Sequence, residues 1–267
     1  MDTEYWLDLC KNIGDKVFIE IKKYLKSEDR KKVLKVGFGG DNTLLIDEVA
    51  EKIILENFES TGKSFKLISE ELGTTVIGKK PEVSIMVDPV DGSNNLRFGI
   101  PFASTSIAIG DSSGLMKGVQ VGYIKNLISG DYYYAIKGSG AFKNDEKINV
   151  SKEDIGCLLV DVVLRRKENF ARISNFGEGF KFIRMLGSGC LGLCFVAEGA
   201  VDGYLVLGAM RSIDQTATQL IVKEAGGIVK TIDGNDFSDF KIGFNLNTEV
   251  IAASNNKIFE KVKSLLK

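Results

Sequence analysis

Two carboxylates stand three residues apart in the stretch Asp88-Pro89-Val90-Asp91-Gly92-Ser93-Asn94-Asn95. The apolar run 83–87 before them reads as a buried strand, which places both acids at its C-terminal end. Gly92 then permits a sharp turn into a helix beginning at Ser93. A strand end that offers oxygens, next to the N–H groups that open a helix, can hold a hard divalent cation and a phosphate together. That combination points to metal-assisted phosphate chemistry. Asp91, Ser93 and Asn95 also alternate as calcium-loop ligands do. Leu96 stands where such a loop needs Gly, however, and Phe102 where it needs Glu, so an EF-hand is excluded.

Four further acidic residues stand near other motifs. Glu70 and Glu71 follow a short strand at 66–68; alone they read as a solvated loop, and they gain a functional reading only in company with the Asp pair. Asp214 lies two residues after Ser212 at the predicted start of a helix, where the macrodipole favours an acid by about 0.3–1 kcal/mol without any function. Asp41-x-Thr43 follows Gly37, Gly39 and Gly40. Asp41 either caps the next helix or orients the Thr43 hydroxyl, which in turn orients a water. A dinucleotide fingerprint is absent there, because Asn42 occupies the place of the third glycine.

The chain has 267 residues and no histidine. That removes Ser-His-Asp and Cys-His catalysis and histidine-ligated zinc. Cys10, Cys157, Cys190 and Cys194 form no C-x-x-C pair and read as buried small hydrophobes in a reducing compartment. Hydrolysis must therefore rely on carboxylates, hydroxyls, cationic side chains or an oxygen-bound metal.

The elements that must position these groups follow from periodicity. Trp6, Leu9, Cys10, Ile13, Val17, Ile21 and Leu25 recur at helical spacing, so a helix is predicted over 3–26, capped by Asp2 or Thr3. A second helix is predicted at 45–58. Strands at 104–109, 117–124, 131–137 and 140–142 follow one another without long helices and suggest an antiparallel sheet. Near residue 150 the pattern changes. Strands at 158–164, 181–185, 202–207, 227–232 and 250–253 alternate with helices at 191–198, 212–225 and 257–266, an α/β pattern. The expected organisation is an N-terminal α+β half over 1–150 and a C-terminal α/β half over 151–267, packed as one unit with a site in the crevice between them. Apolar residues make up 44% of the chain, enough for a sizeable core. Lys plus Arg number 35 against 36 Asp plus Glu, and this balance argues against nucleic-acid or membrane-surface binding through bulk charge. No apolar run is long enough to span a bilayer and no signal-peptide pattern opens the chain, so a cytoplasmic protein is expected.

Together, Glu70-Glu71, Asp88-Pro89-Val90-Asp91-Gly92-Ser93, Ser212-Ile213-Asp214-Gln215-Thr216-Ala217 and Glu224-Ala225-Gly226-Gly227 resemble the inositol monophosphatase family, the Mg²⁺-dependent sugar phosphatase superfamily that includes fructose-1,6-bisphosphatase. The resemblance extends from Asp41-x-Thr43 to Ile251-Ala252-Ala253-Ser254-Asn255. It implies a layered αβαβα fold, usually a homodimer, and phosphomonoester hydrolysis without a phosphoenzyme. By resemblance, Glu70, Asp88 and the Val90 carbonyl would hold one Mg²⁺. Asp88, Asp91 and Asp214 would hold a second, and a third is common near Glu70. Gly92 and Ser93 would receive the phosphate; Glu70 and Thr43, with Asp41 behind, would position the attacking water. Inositol-specific members carry an acid seven residues before the C-terminal metal Asp, where this chain has Leu207. Arg211, three residues before it, is a cation able to grip a second phosphate, as in archaeal dual-activity members, with Arg165, Arg166 and Arg184 in support. Gly187-Ser188-Gly189 would line the sugar pocket through backbone groups. The alternatives are a 3′-phosphoadenosine nucleotide phosphatase of the same superfamily, or a non-catalytic phosphosugar-binding relative. The latter is disfavoured because all four carboxylates are present.

Overall fold

The computed structural model describes residues 1–38, 42–162, 167–244 and 247–266. The first helix spans Thr3–Tyr24, with the Asp2 carboxylate accepting from the Tyr5 N–H as its cap. The second, Leu45–Glu59, packs beside it. Trp6, Ile13, Val17, Ile54 and Phe58 bury their side chains from these two helices against one face of the larger sheet.

Among the described residues that sheet has eight strands, ordered Glu146–Ile148, Gly140–Lys143, Tyr132–Ile136, Val119–Asn126, Ser104–Gly110, Val83–Asp91, Phe65–Ser69 and Gly73–Ile77. The meander from Val83 to Ile148 is antiparallel, as its sequence predicts. The other end pairs differently. Gly73–Ile77 turns back along the outer edge of Phe65–Ser69, and the next strand, Val83–Asp91, pairs in parallel on its inner side. This one parallel pairing matters for the site, because it brings two C-terminal strand ends together.

The helices Gly189–Ala197 and Thr216–Glu224 cover the opposite face of the large sheet. They are shared with a second, five-stranded sheet ordered Phe182–Arg184, Cys157–Val162, Gly203–Arg211, Asn247–Ala253 and Ile228–Thr231. The contact is close enough that a Cβ on Gly122 would lie 2.5 Å from the Ala217 carbonyl oxygen. The far face of the second sheet is closed by Phe176–Gly179 and Asn256–Leu265, through Phe176, Phe259 and Val262. The order of layers is therefore helix, sheet, helix, sheet, helix. No helix among the described residues is long and apolar enough to cross a membrane.

One helix boundary departs from its sequence reading. The helix predicted at 212 begins at Thr216. The Ser212 hydroxyl instead donates to the Gly243 carbonyl and accepts from the Gly243 N–H, tying 212–215 into a turn.

Candidate metal centre

A spacing of three along a regular strand would send Asp88 and Asp91 to opposite faces. The structure resolves this with a β-bulge. Between Asp88, opposite Ser106, and Asp91, opposite Ser104, the strand carries one residue more than its partner. Pro89 sits in the bulge, where the lack of an N–H does no harm to the ladder. Its carbonyl accepts from the Thr105 hydroxyl at 2.7 Å. Next comes Gly92 at φ +90°, the cap of the Ser93–Phe98 helix. A Cβ there would meet the Phe102 carbonyl oxygen at 2.9 Å, so the turn requires glycine.

Glu70 arrives through the parallel pairing. Ser69 lies opposite Val87, and the Glu70 N–H continues the ladder by donating to the Val87 carbonyl at 3.2 Å. Asp214 arrives from the second sheet, in the turn after Gly203–Arg211. Oxygens of Glu70, Asp88 and Asp214 converge within 4.8 Å of one another. A second group, Asp88, Asp91 and the Cys190 sulfur, meets the same limit and shares Asp88.

Asp91 is held firmly. Its carboxylate accepts from the Ser188 hydroxyl and from the N–H groups of Gly189 (3.2 Å) and Cys190 (2.8 Å), at the start of the Gly189–Ala197 helix. Asp88 and Asp214 differ: each keeps one buried carboxylate oxygen without a hydrogen-bond partner. Burial, followed by repulsion from Glu70, Asp91 and Asp214, pushes the Asp88 carboxyl well above its usual range. Burial likewise raises Asp214 to about 7 against the pull of Arg211. Crowded, partnerless buried carboxylates are costly unless a cation joins them. The donor set is hard oxygen, as Mg²⁺ prefers. Cys190 does not alter that, because burial holds its thiol neutral and it donates to the Asp214 carbonyl at 3.3 Å.

Glu70, Glu71, Asp88, Val90, Asp91, Gly92, Ser93, Gly187, Arg211 and Asp214, all named from sequence, line one cavity of about 180 Å³. Other residues sit differently from expectation. Arg211 lies within the carboxylate cluster. Its guanidinium donates to Glu70 Oε1 at 2.5 Å and to Asp214 Oδ2 at 3.0 Å, drawn into the carboxylate cluster by their charge. Ser188 is buried and directs its hydroxyl to Asp91, while its neighbours Gly187 and Gly189 line a larger adjoining cavity. Thr43 is buried and donates to Glu71, whose carboxyl burial raises. Leu207 is fully buried in the far core, although it also forms part of a larger cavity's wall. Arg184 is exposed, its guanidinium donating to the Ile183 carbonyl. Asp41, Arg165 and Arg166 lie outside the described residues.

Sequence reasoning missed two buried acids behind the cluster. Asp47 accepts from the Leu44 N–H at 2.6 Å, and Glu51 accepts from the Ser69 hydroxyl and the Leu72 N–H. Burial pushes Asp47 up to about 8 and Glu51 to about 7. Both share the helical stripe of Ala50, Ile54 and Phe58, a spacing that already marks them as inward-facing.

The model of the inositol monophosphatase family matches residues 4–266. A protein of Methanothermobacter thermautotrophicus named fructose-1,6-bisphosphatase/inositol-1-monophosphatase is 32% identical, covering 99% of this chain and 98% of its own length. A bifunctional NADP phosphatase/NAD kinase of Methanococcus maripaludis is 33% identical over 96% of this chain, which spans 48% of that relative. A solved Pyrococcus horikoshii structure, described as having similarities to inositol-1 monophosphatase, superposes with a TM-score of 0.86 at 26% identity, covering 100% of both chains.

Proposed function

Since the chain belongs to the inositol monophosphatase family, we propose that it is a metal-dependent phosphomonoesterase acting on small sugar or polyol phosphates, inositol monophosphates and fructose 1,6-bisphosphate among them. The observation that carries this reading is the convergence of Glu70, Asp88 and Asp214 with two buried carboxylate oxygens lacking partners. Mg²⁺ fits the donor set. Glu70, Asp88 and the Val90 carbonyl would hold one ion and Asp88, Asp91 and Asp214 another, with a third near Glu70. When bound, the cations supply Lewis-acid polarisation of the phosphoryl group and lower the pKa of water.

The chain's own residues do the rest. Gly92 and Ser93 line the small cavity beside the acids and offer backbone N–H groups for phosphate oxygens. The Thr43 hydroxyl donates its hydrogen bond to Glu71, which leaves the Thr43 oxygen as an acceptor able to orient a water. Asp91 is fixed by four donors, the Ser104 hydroxyl included, so its carboxylate needs little reorganisation during reaction. Arg211 balances Glu70 and Asp214 and must loosen its grip where those acids ligate a cation. Histidine is absent, which supports direct attack by water over a phosphohistidine route.

The test is phosphate release with Mg²⁺ across inositol monophosphates, fructose 1,6-bisphosphate, 3′-phosphoadenosine 5′-phosphate and NADP. Turnover of the first two classes is expected. Turnover of the nucleotides alone would replace the sugar phosphate reading with a nucleotide phosphatase one.

A further inference from the structure

A second cavity of about 730 Å³ adjoins the acidic cluster and shares Asp91, Gly187 and Asp214 with it. Its position is that of the space beyond the phosphate, where the alcohol part of a phosphomonoester must lie. The wall is largely apolar, formed by residues such as Ile100, Phe102, Leu186, Val206 and Met210. Besides Asp91 and Asp214, one other carboxylate lines it among the described residues: Asp161.

Asp161 lies on the Cys157–Val162 strand, opposite Val206 on Gly203–Arg211. It shares the cavity-side face with Leu159, while Val160 points into the far core. The Tyr204 hydroxyl donates to its Oδ2. This donor orients the group and uses one of its roughly four lone-pair sites. An immobilised acceptor with remaining capacity, set in an apolar wall next to the reaction centre, selects for a hydroxyl donor. Leu207 cannot do this: it offers no acceptor and is fully buried in the far core.

We propose that Asp161 is a specificity-determining residue that accepts hydrogen bonds from hydroxyl groups of the substrate's alcohol portion, so that the cavity favours polyhydroxylated phosphomonoesters over bare aromatic ones. This rests on the phosphatase reading above and names the group that reads the substrate.

Asp161→Asn keeps the shape of the side chain and removes its charge. The experiment compares myo-inositol 1-phosphate with p-nitrophenyl phosphate, which carries no hydroxyl groups, at saturating Mg²⁺. KM for the inositol ester is expected to rise about 10- to 100-fold, the scale of a hydrogen bond to a charged group, with kcat little changed. Both parameters for p-nitrophenyl phosphate should stay at the wild-type value. Tyr204→Phe is the structural control. It removes an internal hydrogen bond of Asp161 but leaves the acceptor, and should retain most of the preference for the inositol ester. Unchanged KM in Asp161→Asn overturns the proposal, as do equal losses on both esters or the same loss of selectivity in Tyr204→Phe. In each of those outcomes wild-type Mg²⁺-dependent release leaves the phosphatase reading standing. No such release by wild type from either ester overturns both.

Discussion

Replacing Asp88 by Asn should separate function from stability. In the absence of metal this carboxylate is buried, has one oxygen without a partner, and faces Glu70, Asp91 and Asp214. The oxygens of Glu70, Asp88 and Asp214 lie within 4.8 Å of one another. Two unit charges at that spacing repel by about 3.5 kcal/mol at an effective dielectric constant of about 20. Arg211 offsets part of this through its contacts to Glu70 and Asp214, and a proton shared by the cluster relieves more. A net gain of about 2 kcal/mol for metal-free Asp88→Asn is therefore expected, raising the melting midpoint by about 4–8 °C for a chain of this size. The same change removes the oxygen charge common to both acidic groups, so turnover should fall at least about a hundredfold. The assay is thermal unfolding in EDTA and again with Mg²⁺, paired with phosphate release. Wild type should gain stability from Mg²⁺ and the variant should not. A variant less stable than wild type in EDTA, or one that keeps the Mg²⁺ shift, would refute the reasoning.

Arg211→Ala should have the opposite effect in EDTA. Removing the guanidinium leaves buried carboxylates uncompensated at a cost of about 3–5 kcal/mol, which urea denaturation would register and Mg²⁺ should largely restore. Because Arg211 engages Glu70 and Asp214, its loss should impair inositol monophosphate and fructose 1,6-bisphosphate cleavage alike; selective loss of the bisphosphate would return it to a second-phosphate role. The raised carboxyls of Asp47, to about 8, and Glu51, to about 7, predict a pH dependence. An acid whose folded pKa is raised gives full stability below its unfolded value near 4, and that stability declines as pH rises toward the folded value. Metal-free unfolding free energy should thus fall across the range from about 4 to about 8, with a shallower fall in Asp47→Asn. Gly122→Ala pushes a methyl against the Ala217 carbonyl and should cost about 1–3 kcal/mol by chemical denaturation, without altering Mg²⁺ affinity.

Much of the site can be read from local sequence. Asp88 through Ser93 carries its own strand end, turn and helix start, so short-range rules suffice. What they cannot supply is the bulge that turns Asp88 and Asp91 to one side, although Pro89 within a strand run is its trace. The layered fold follows from strands and helices whose periods are clear, whereas the parallel pairing that delivers Glu70 depends on how an edge strand folds back. The contact of Arg211 with Glu70 could not be read locally because the two lie 141 residues apart, and a cation near a phosphate motif suggests a ligand before it suggests a counter-charge. Asp161 gives only the faint signal of an acid inside a β run. Its meaning comes from a neighbouring strand, through Tyr204.

In the proposed function, Glu70, Asp88, Asp91 and Asp214 form a cation site on which phosphate ester hydrolysis depends. Phosphate release from myo-inositol 1-phosphate and fructose 1,6-bisphosphate by protein stripped with EDTA, then titrated with Mg²⁺, tests it most directly. Release should be absent after stripping and should rise to saturation with added Mg²⁺; full activity in metal-free buffer would contradict the claim.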